Sequence, residues 1–467
     1  PPSPSPPPPS PPPPHPPPLE FLRVSGDRFF LGEQQVFLSG VNQPWLRYGR
    51  DFGNNQSQAA FCELTQKYLQ PLADHGGNSI RIFLFVEGYQ IPSWSDSGLV
   101  TGTDRAGSLT EDVRKYLRFA ASRDVLVFLV LWNGARLNND RLVAMIKDES
   151  GERLQSFIDA ALVPLVSALK DEPGLGGWEL INEPEGSVLD NDTSSEPCFD
   201  TIPLRRTGAG WAGKGTNKGL SVRVLQRFVN WQASAIHAAD PKALVTVGSW
   251  NAKAQMDVAG FRNYWKDDCL LKAGGRVGGF LDFYQIHTYP WGEQGFDSES
   301  PFSAHTRDYY GLDKPLVIGE FPKRDKSGTY NATEMYRMAY TQGFDGAWGW
   351  AARDGNGWGL VILSYGLEVL KGEAGIAIQL GDGTAPTNVP CDSASPSAPP
   401  PSPSPSPPRP PLLPPSTTTP SPPPSATPSP PPPCAEDLVA FCRQFGVAWR
   451  PRSGHSCYDT VNDCYQR

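Results

Sequence analysis

Residues 177–185 read Gly-Trp-Glu-Leu-Ile-Asn-Glu-Pro-Glu, a short apolar run that turns polar at its end and is stopped by a proline. Such a run predicts a buried strand whose last residues are free to do chemistry. Seven more apolar runs flank it, at 36–42, 79–85 and 125–132 upstream and at 244–249, 283–290, 316–321 and 346–352 downstream. Helical patterns fill the gaps. The clearest places Leu154, Phe157, Ile158, Ala161, Leu165, Val166 and Leu169 at three- and four-residue steps, with a kink predicted at Pro164. Others pass through Phe61, Leu64, Tyr68 and Leu72, and through Val222, Leu225, Phe228, Val229 and Ile236. Eight strands each followed by a helix predict an α/β fold, a (β/α)8 TIM barrel. The competing open, doubly wound sheet lacks a Gly-x-Gly-x-x-Gly after an early strand.

The rest of the chain is set apart by composition. Of 51 prolines, 14 lie in residues 1–18 and 21 in residues 396–433, so both stretches are predicted to be disordered, stiff polyproline linkers. They bracket a barrel domain at 19–395 and a small cysteine-rich module at 434–467. The module's Cys434, Cys442, Cys457 and Cys464 lack the close pair of a zinc knuckle, which favours disulfides over metal. Its Phe441, Phe445, Trp449 and Tyr458 suit either a small carbohydrate-binding module or a purely structural knot. Cys62, Cys198, Cys269 and Cys391 are even in number and scattered, as paired loop cysteines would be, and Asn55, Asn191 and Asn331 begin glycosylation sequons. Together these features predict a secreted protein. The chain starts inside a linker and reads as a processed piece. A net charge of −8 without a basic run argues against nucleic acid or an anionic membrane as partner, and no apolar run is long enough to span a bilayer.

A barrel concentrates function at the C-terminal ends of its strands. Reading off those ends gives Asn42, Arg81, Trp132-Asn133, Asn182-Glu183, Trp250-Asn251, His287-Thr288-Tyr289, Glu320 and Trp350. A single Glu after a strand is usually a helix cap or a surface ion pair. Two at facing strand ends, one of them within Asn-Glu-Pro, instead fit glycosidic bond cleavage, in which one carboxyl protonates the leaving oxygen while the other attacks or activates water. Trp45, Trp94, Trp132, Trp250, Trp291, Trp348 and Trp350 all fall at or beyond strand ends, where exposed indoles would stack on sugar rings. Trp178 and Trp231 read as ordinary core. The six His are isolated and no His-Glu-x-x-His occurs, so neither a metal nor any other cofactor is expected.

Asn182-Glu183-Pro184, His287-x-Tyr289, Glu320 and Arg81 resemble the pattern of glycoside hydrolase family five. The opening 39–55, the Leu-Trp-Asn-Gly at 131–134 and the Gly-Ala-Trp-Gly-Trp at 346–350 are similar to its invertebrate endo-β-1,4-mannanases. The resemblance covers about residues 20–385. It implies Glu183 as general acid/base, Glu320 as nucleophile, Asn182 on the sugar 2-hydroxyl, Arg81 and Tyr289 on Glu320, and His287 orienting Glu183 or a sugar hydroxyl. Asn133, Trp45, Trp132, Trp291, Trp348 and Trp350 would complete the sugar cleft. Trp132-Asn133 replaces the His that many members carry after the third strand, and Pro44 alters the first loop. The Ser-Pro tracts resemble stalks of green-algal and plant wall proteins, which implies a wall-associated enzyme. A monomeric endo-β-1,4-mannanase acting on mannan, glucomannan or galactomannan is the leading expectation. A β-1,4-glucanase, a transglycosylase and a catalytically retired wall sugar-binding protein are the alternatives.

Overall fold

Eight parallel strands close on themselves in the computed structural model, which describes residues 20–135, 137–207, 219–290, 295–324, 330–354, 357–380 and Cys391. The segments 1–18 and 396–433, the 434–467 module and Trp291 lie outside the described residues. A three-stranded antiparallel sheet comes first: β1 (Leu22–Ser25), β2 (Arg28–Leu31) and β3 (Gln34–Val36). The barrel begins with β4 (Leu38–Asn42) and β5 (Ser79–Val86), and a short hairpin, β6 (Ser93–Trp94) and β7 (Val100–Gly102), follows. Then come β8 (Leu126–Asn133), β9 (Leu175–Asn182), β10 (Val245–Ser249), β11 (Tyr284–His287), β12 (Leu316–Pro322) and β13 (Gly346–Trp350). β13 pairs with β4 in parallel, which closes the barrel.

All eight expected strands are present. The run at 36–42 divides at Phe37, whose N–H donates to Gly375 O and whose carbonyl accepts from Asn78 Nδ2. Pro164 is accommodated by a π-helical turn, Ile158–Leu162, between helices Glu152–Phe157 and Val163–Leu169. The wider turn gives room to a residue that lacks an N–H and would clash with the carbonyl four residues back. Pro71 follows another such turn, Thr65–Leu69.

The antiparallel sheet stoppers the N-terminal end of the barrel. Its Leu22, Phe29, Leu31 and Val36 join Leu126, Phe128, Phe283, Val317 and Trp348 in one buried cluster. Phe283 meets Phe29 edge-on at 5.2 Å, and Trp348 lies 4.7 Å from Phe128. A plugged base leaves the opposite mouth as the place for a site. Cys198 and Cys269 form a disulfide, and Cys62 and Cys391 are disulfide-bonded as well. No helix among the described residues is long and apolar enough to cross a membrane.

His237, on the helix Val222–Ala239, offers a stability test. Its Nδ1 lies 2.7 Å from Gly278 O and its Nε2 2.9 Å from Asp282 Oδ2, so both ring nitrogens face acceptors. Burial lowers its pKa, but Asp282 and Gly278 together outweigh burial and the nearby Lys314 and raise it. The charged ring therefore stabilises the fold fully below its unfolded pKa of about 6.5, and that stability is lost as pH rises through the higher folded value. The stability gap between wild type and His237→Gln, measured by urea denaturation, is expected to be about 1–2 kcal/mol near pH 5.5 and to shrink as pH rises beyond about 6.5.

Candidate active site

Arg81 is fully buried in β5, and the polar strand ends converge on it. Its Nε donates to Glu179 Oε2 at 2.6 Å and its Nη2 to Glu179 Oε1 at 2.5 Å. Nη1 donates to Asn42 Oδ1 at 2.8 Å and to Glu320 Oε1 at 2.7 Å, and Nη2 also reaches Asn182 Oδ1 at 2.7 Å. All five guanidinium N–H groups are thereby used. Burial opposes the charge, but Glu179 and Glu320 outweigh it and raise the pKa.

The two expected carboxyls face each other beside this hub. Glu320, in β12, accepts Tyr289 O–H at 2.8 Å as well as the Arg81 donor. Burial raises its pKa, opposed by His287, Arg81 and Tyr289 and reinforced by Glu183. Burial, with Glu320 and Glu183, drives the Tyr289 hydroxyl far above its ordinary range, so it stays a donor. Glu183 follows β9 directly in the left-handed region, at φ 46° and ψ 51°. That conformation costs a non-glycine residue about 1–3 kcal/mol. Its N–H is tied to Gly248 O at 2.6 Å, and its Oε1 lies 2.8 Å from His287 Nδ1. Burial raises the Glu183 pKa to about 7, with Arg81 opposing and Glu179 adding to the rise. The same His287 nitrogen is 3.5 Å from Glu320 Oε1.

Glu183, His287 and Glu320 each contribute an atom to a group lying within 4.8 Å of one another. Among the described residues this is the one trio able to hold a metal ion. Arg81 already sets a positive charge against Glu320, which would repel a second cation there. The arrangement suits a pair of carboxyls in different protonation states better than metal binding.

Asn182 gives its oxygen to Arg81 and donates from Nδ2 to Asn133 Oδ1 at 3.1 Å, so Asn133 belongs to the same network. Trp45 and Trp350 form the aromatic wall. Both are partly exposed, pack on Phe83, Val86 and Val130, and meet edge-on at 6.2 Å. The Pro44 carbonyl accepts Phe83 N–H at 3.0 Å and pins the first loop beneath Trp45.

Two of the expected sugar contacts are corrected. Trp132 is 0% exposed, stacks on Phe85 at 5.1 Å and donates from Nε1 to Gln232 on a surrounding helix, so it packs behind the barrel wall. Trp348 is also 0% exposed and donates from Nε1 to Ser79 Oγ deep in the barrel floor. It shares a strand face with Trp350 but lies lower. Trp250 is buried as well, and Trp94 donates to Gly88 O. Glu179 and Gln285, which are absent from the strand-end candidates, line the hub inside β9 and β11. A charge or an amide within an apolar strand was the available signal, because such groups are buried only with partners. Glu185 also went unassigned. It is buried, accepts from Ser249 Oγ and Trp265 Nε1, and has its pKa raised by burial to about 7.

Residues 39–356 match the family described as Cellulase (glycosyl hydrolase family 5). The mannan endo-1,4-beta-mannosidase of Mytilus edulis is 46% identical over 335 residues, covering 71% of this chain and 88% of that protein. The one from Cryptopygus antarcticus is 40% identical over 358 residues, covering 76% and 91%. The crystal structure of endo-1,4-beta-mannanase from Eisenia fetida superposes with a TM-score of 0.73 at 42% identity, covering 77% of this chain and 99% of that one.

Removing Arg81 would strand two buried carboxylates. Arg81→Met is expected to destabilise the protein by about 3–5 kcal/mol in urea denaturation, and Arg81→Lys, with three donors in place of five, to recover only part of it.

Proposed function

The chain belongs to glycosyl hydrolase family 5, and from that membership we propose a secreted, monomeric endo-β-1,4-mannanase that cleaves mannan, glucomannan or galactomannan with retention of configuration. The observation that carries this reading is the pair of buried carboxyls, Glu183 and Glu320, with oxygens within 4.8 Å of each other. Retaining glycosidases hold their two carboxyls about 5–5.5 Å apart, whereas inverting ones need about 6.5–9.5 Å to admit water.

Glu320 carries the negative charge, between the Arg81 and Tyr289 donors, and attacks the anomeric carbon. The glycosidic C–O bond breaks as the Glu183 proton passes to the leaving oxygen, and a covalent glycosyl–Glu320 ester remains. Water then gives a proton to the Glu183 carboxylate and its oxygen to the anomeric carbon, releasing Glu320. Asn182 is anchored by Arg81 and Asn133, and the second hydrogen of its amide is the donor that the sugar 2-hydroxyl would take. Trp350 and Trp45 supply the stacking surface.

The named activities of the relatives support mannan as substrate. A disulfide between Cys198 and Cys269 and exposed sequon residues Asn55, Asn191 and Asn331 support secretion. The Ser-Pro linkers favour an enzyme held at a cell wall.

Reducing-sugar release from pure polysaccharides tests the substrate class. Release from linear mannan, glucomannan and galactomannan is expected, with little from carboxymethylcellulose or xylan. Glu183→Gln and Glu320→Gln should each lower kcat on mannan by about a thousandfold or more while oligosaccharide binding persists. Equal turnover in either variant would sink the assignment. Because Glu183 must be protonated to act as acid, kcat/KM should fall as pH rises through about 7.

A further inference from the structure

Gln285 lies in β11, two residues before His287, and its side chain meets the His287 ring. It is 0% exposed, and none of the chemistry above uses it. Its Nε2 is 2.7 Å from Glu179 Oε2 and its Oε1 is 3.2 Å from His287 Nε2. The amide cannot be turned round. Both Glu179 oxygens receive guanidinium N–H groups, so this carboxylate only accepts, and only the NH2 end of Gln285 can face it. The Gln285 oxygen is then left facing His287 Nε2, and an oxygen can only accept. That nitrogen must carry a proton. A neutral imidazole protonated at Nε2 has a bare Nδ1, and Nδ1 is the atom 2.8 Å from Glu183 Oε1. A proton between those two atoms can then belong only to Glu183.

We propose that Gln285 is a positioning residue: it fixes His287 as the Nε2–H tautomer and thereby keeps the proton on Glu183. The relay rests on the reading of Glu183 as general acid. It runs Glu179, Gln285, His287, Glu183, each member oriented by the one before. Steric fit holds it in place. A Cβ on Gly319 would lie 2.0 Å from Gln285 Oε1, and one on Gly248 would lie 2.5 Å from Glu179 Oε1 and 3.0 Å from His287 Nε2.

The charged or titratable groups around the ring are Glu179 and Glu183 from β9 and its end, Arg81 from β5, Glu320 from β12 and Tyr289 beyond β11. Burial, helped by Arg81 and opposed by Glu320 and Glu179, lowers the His287 pKa to about 4, so the ring is neutral at working pH. The relay also serves the second half of the reaction. Once Glu183 has given up its proton, its carboxylate faces a lone pair on Nδ1 rather than a donor, which raises its basicity toward the incoming water.

The test is the tautomer itself, read by nitrogen NMR on the full chain labelled with 15N-histidine, with His287→Gln identifying the signal. Between about pH 5.5 and 8, one protonated nitrogen assigned to Nε2 and one bare nitrogen assigned to Nδ1 are expected. A proton on Nδ1, or on both nitrogens, would overturn the proposal. In Gln285→Leu the ring is released to place its proton on Nδ1 and donate to the Glu183 carboxylate. The alkaline limb of kcat/KM should then move down by about one pH unit, with kcat at the optimum about tenfold lower. A uniform loss of kcat with the limb unmoved would mark Gln285 as merely structural and overturn the relay. The NMR reading needs no turnover, so failure of the mannanase reading and failure of the relay are separately visible.

Discussion

A guanidinium taken out of water must find acceptors for five N–H groups, and the barrel mouth is organised around how Arg81 finds them. The acceptors come from β4 (Asn42), β9 (Glu179 and Asn182) and β12 (Glu320). These strands are not neighbours around the barrel, so one planar fork ties together segments that the sheet's own ladders connect only indirectly. Burying such a charge is favourable only when each hydrogen bond is made, because desolvation otherwise exceeds the Coulombic gain. The demand for completeness gives the site its rigidity. Asn182 cannot swing without unpairing Arg81, and Glu320 cannot leave without stranding a donor.

The network needs space that ordinary barrel packing would fill. Gly248 and Gly319 supply it, since a side chain at either would strike Glu179 or Gln285. Below the polar layer the barrel returns to apolar packing, with Trp348 on Phe128 and Phe283 beneath it against the N-terminal sheet. That floor keeps water from reaching Glu179 and Arg81 from underneath. The same layering explains why Trp350 and Trp348, two residues apart on one strand, differ in role: one stands above the charged layer and the other below it.

Much of this was legible in the residues. The eight strands follow from apolar runs, and Arg81, Asn182, Glu183, His287, Tyr289 and Glu320 stand out as polar ends of those runs. The structure brings all six together. What the sequence left unread was depth and direction. Trp132 lies one residue from the end of its strand, much as Trp350 ends its own, yet a bulge in register between Phe83 and Val86 accompanies its turn away from the mouth toward Phe157 and Phe228. Side-chain alternation is reliable only while the ladder is regular. Glu179 and Gln285 lie mid-strand, where apolar residues are expected, and their importance appears only once Arg81 is seen to need a counter-charge and His287 a partner.

Counting charge explains why two similarly buried carboxyls differ. Arg81 contributes one positive charge, and Glu179 and Glu320 one negative charge each, which leaves the cluster one negative. Ionising Glu183 as well would place a second uncompensated negative charge among buried groups, so repulsion and desolvation act together to keep its proton. In the proposed double displacement this balance is never disturbed. As Glu320 becomes a neutral ester it surrenders its charge to the bond it forms, and Glu183, having lost its proton to the leaving oxygen, takes that negative charge over. The cluster remains one negative throughout. A single fixed cation therefore suffices for both halves of the reaction, and the protein has to arrange only which of the two carboxyls starts with the proton.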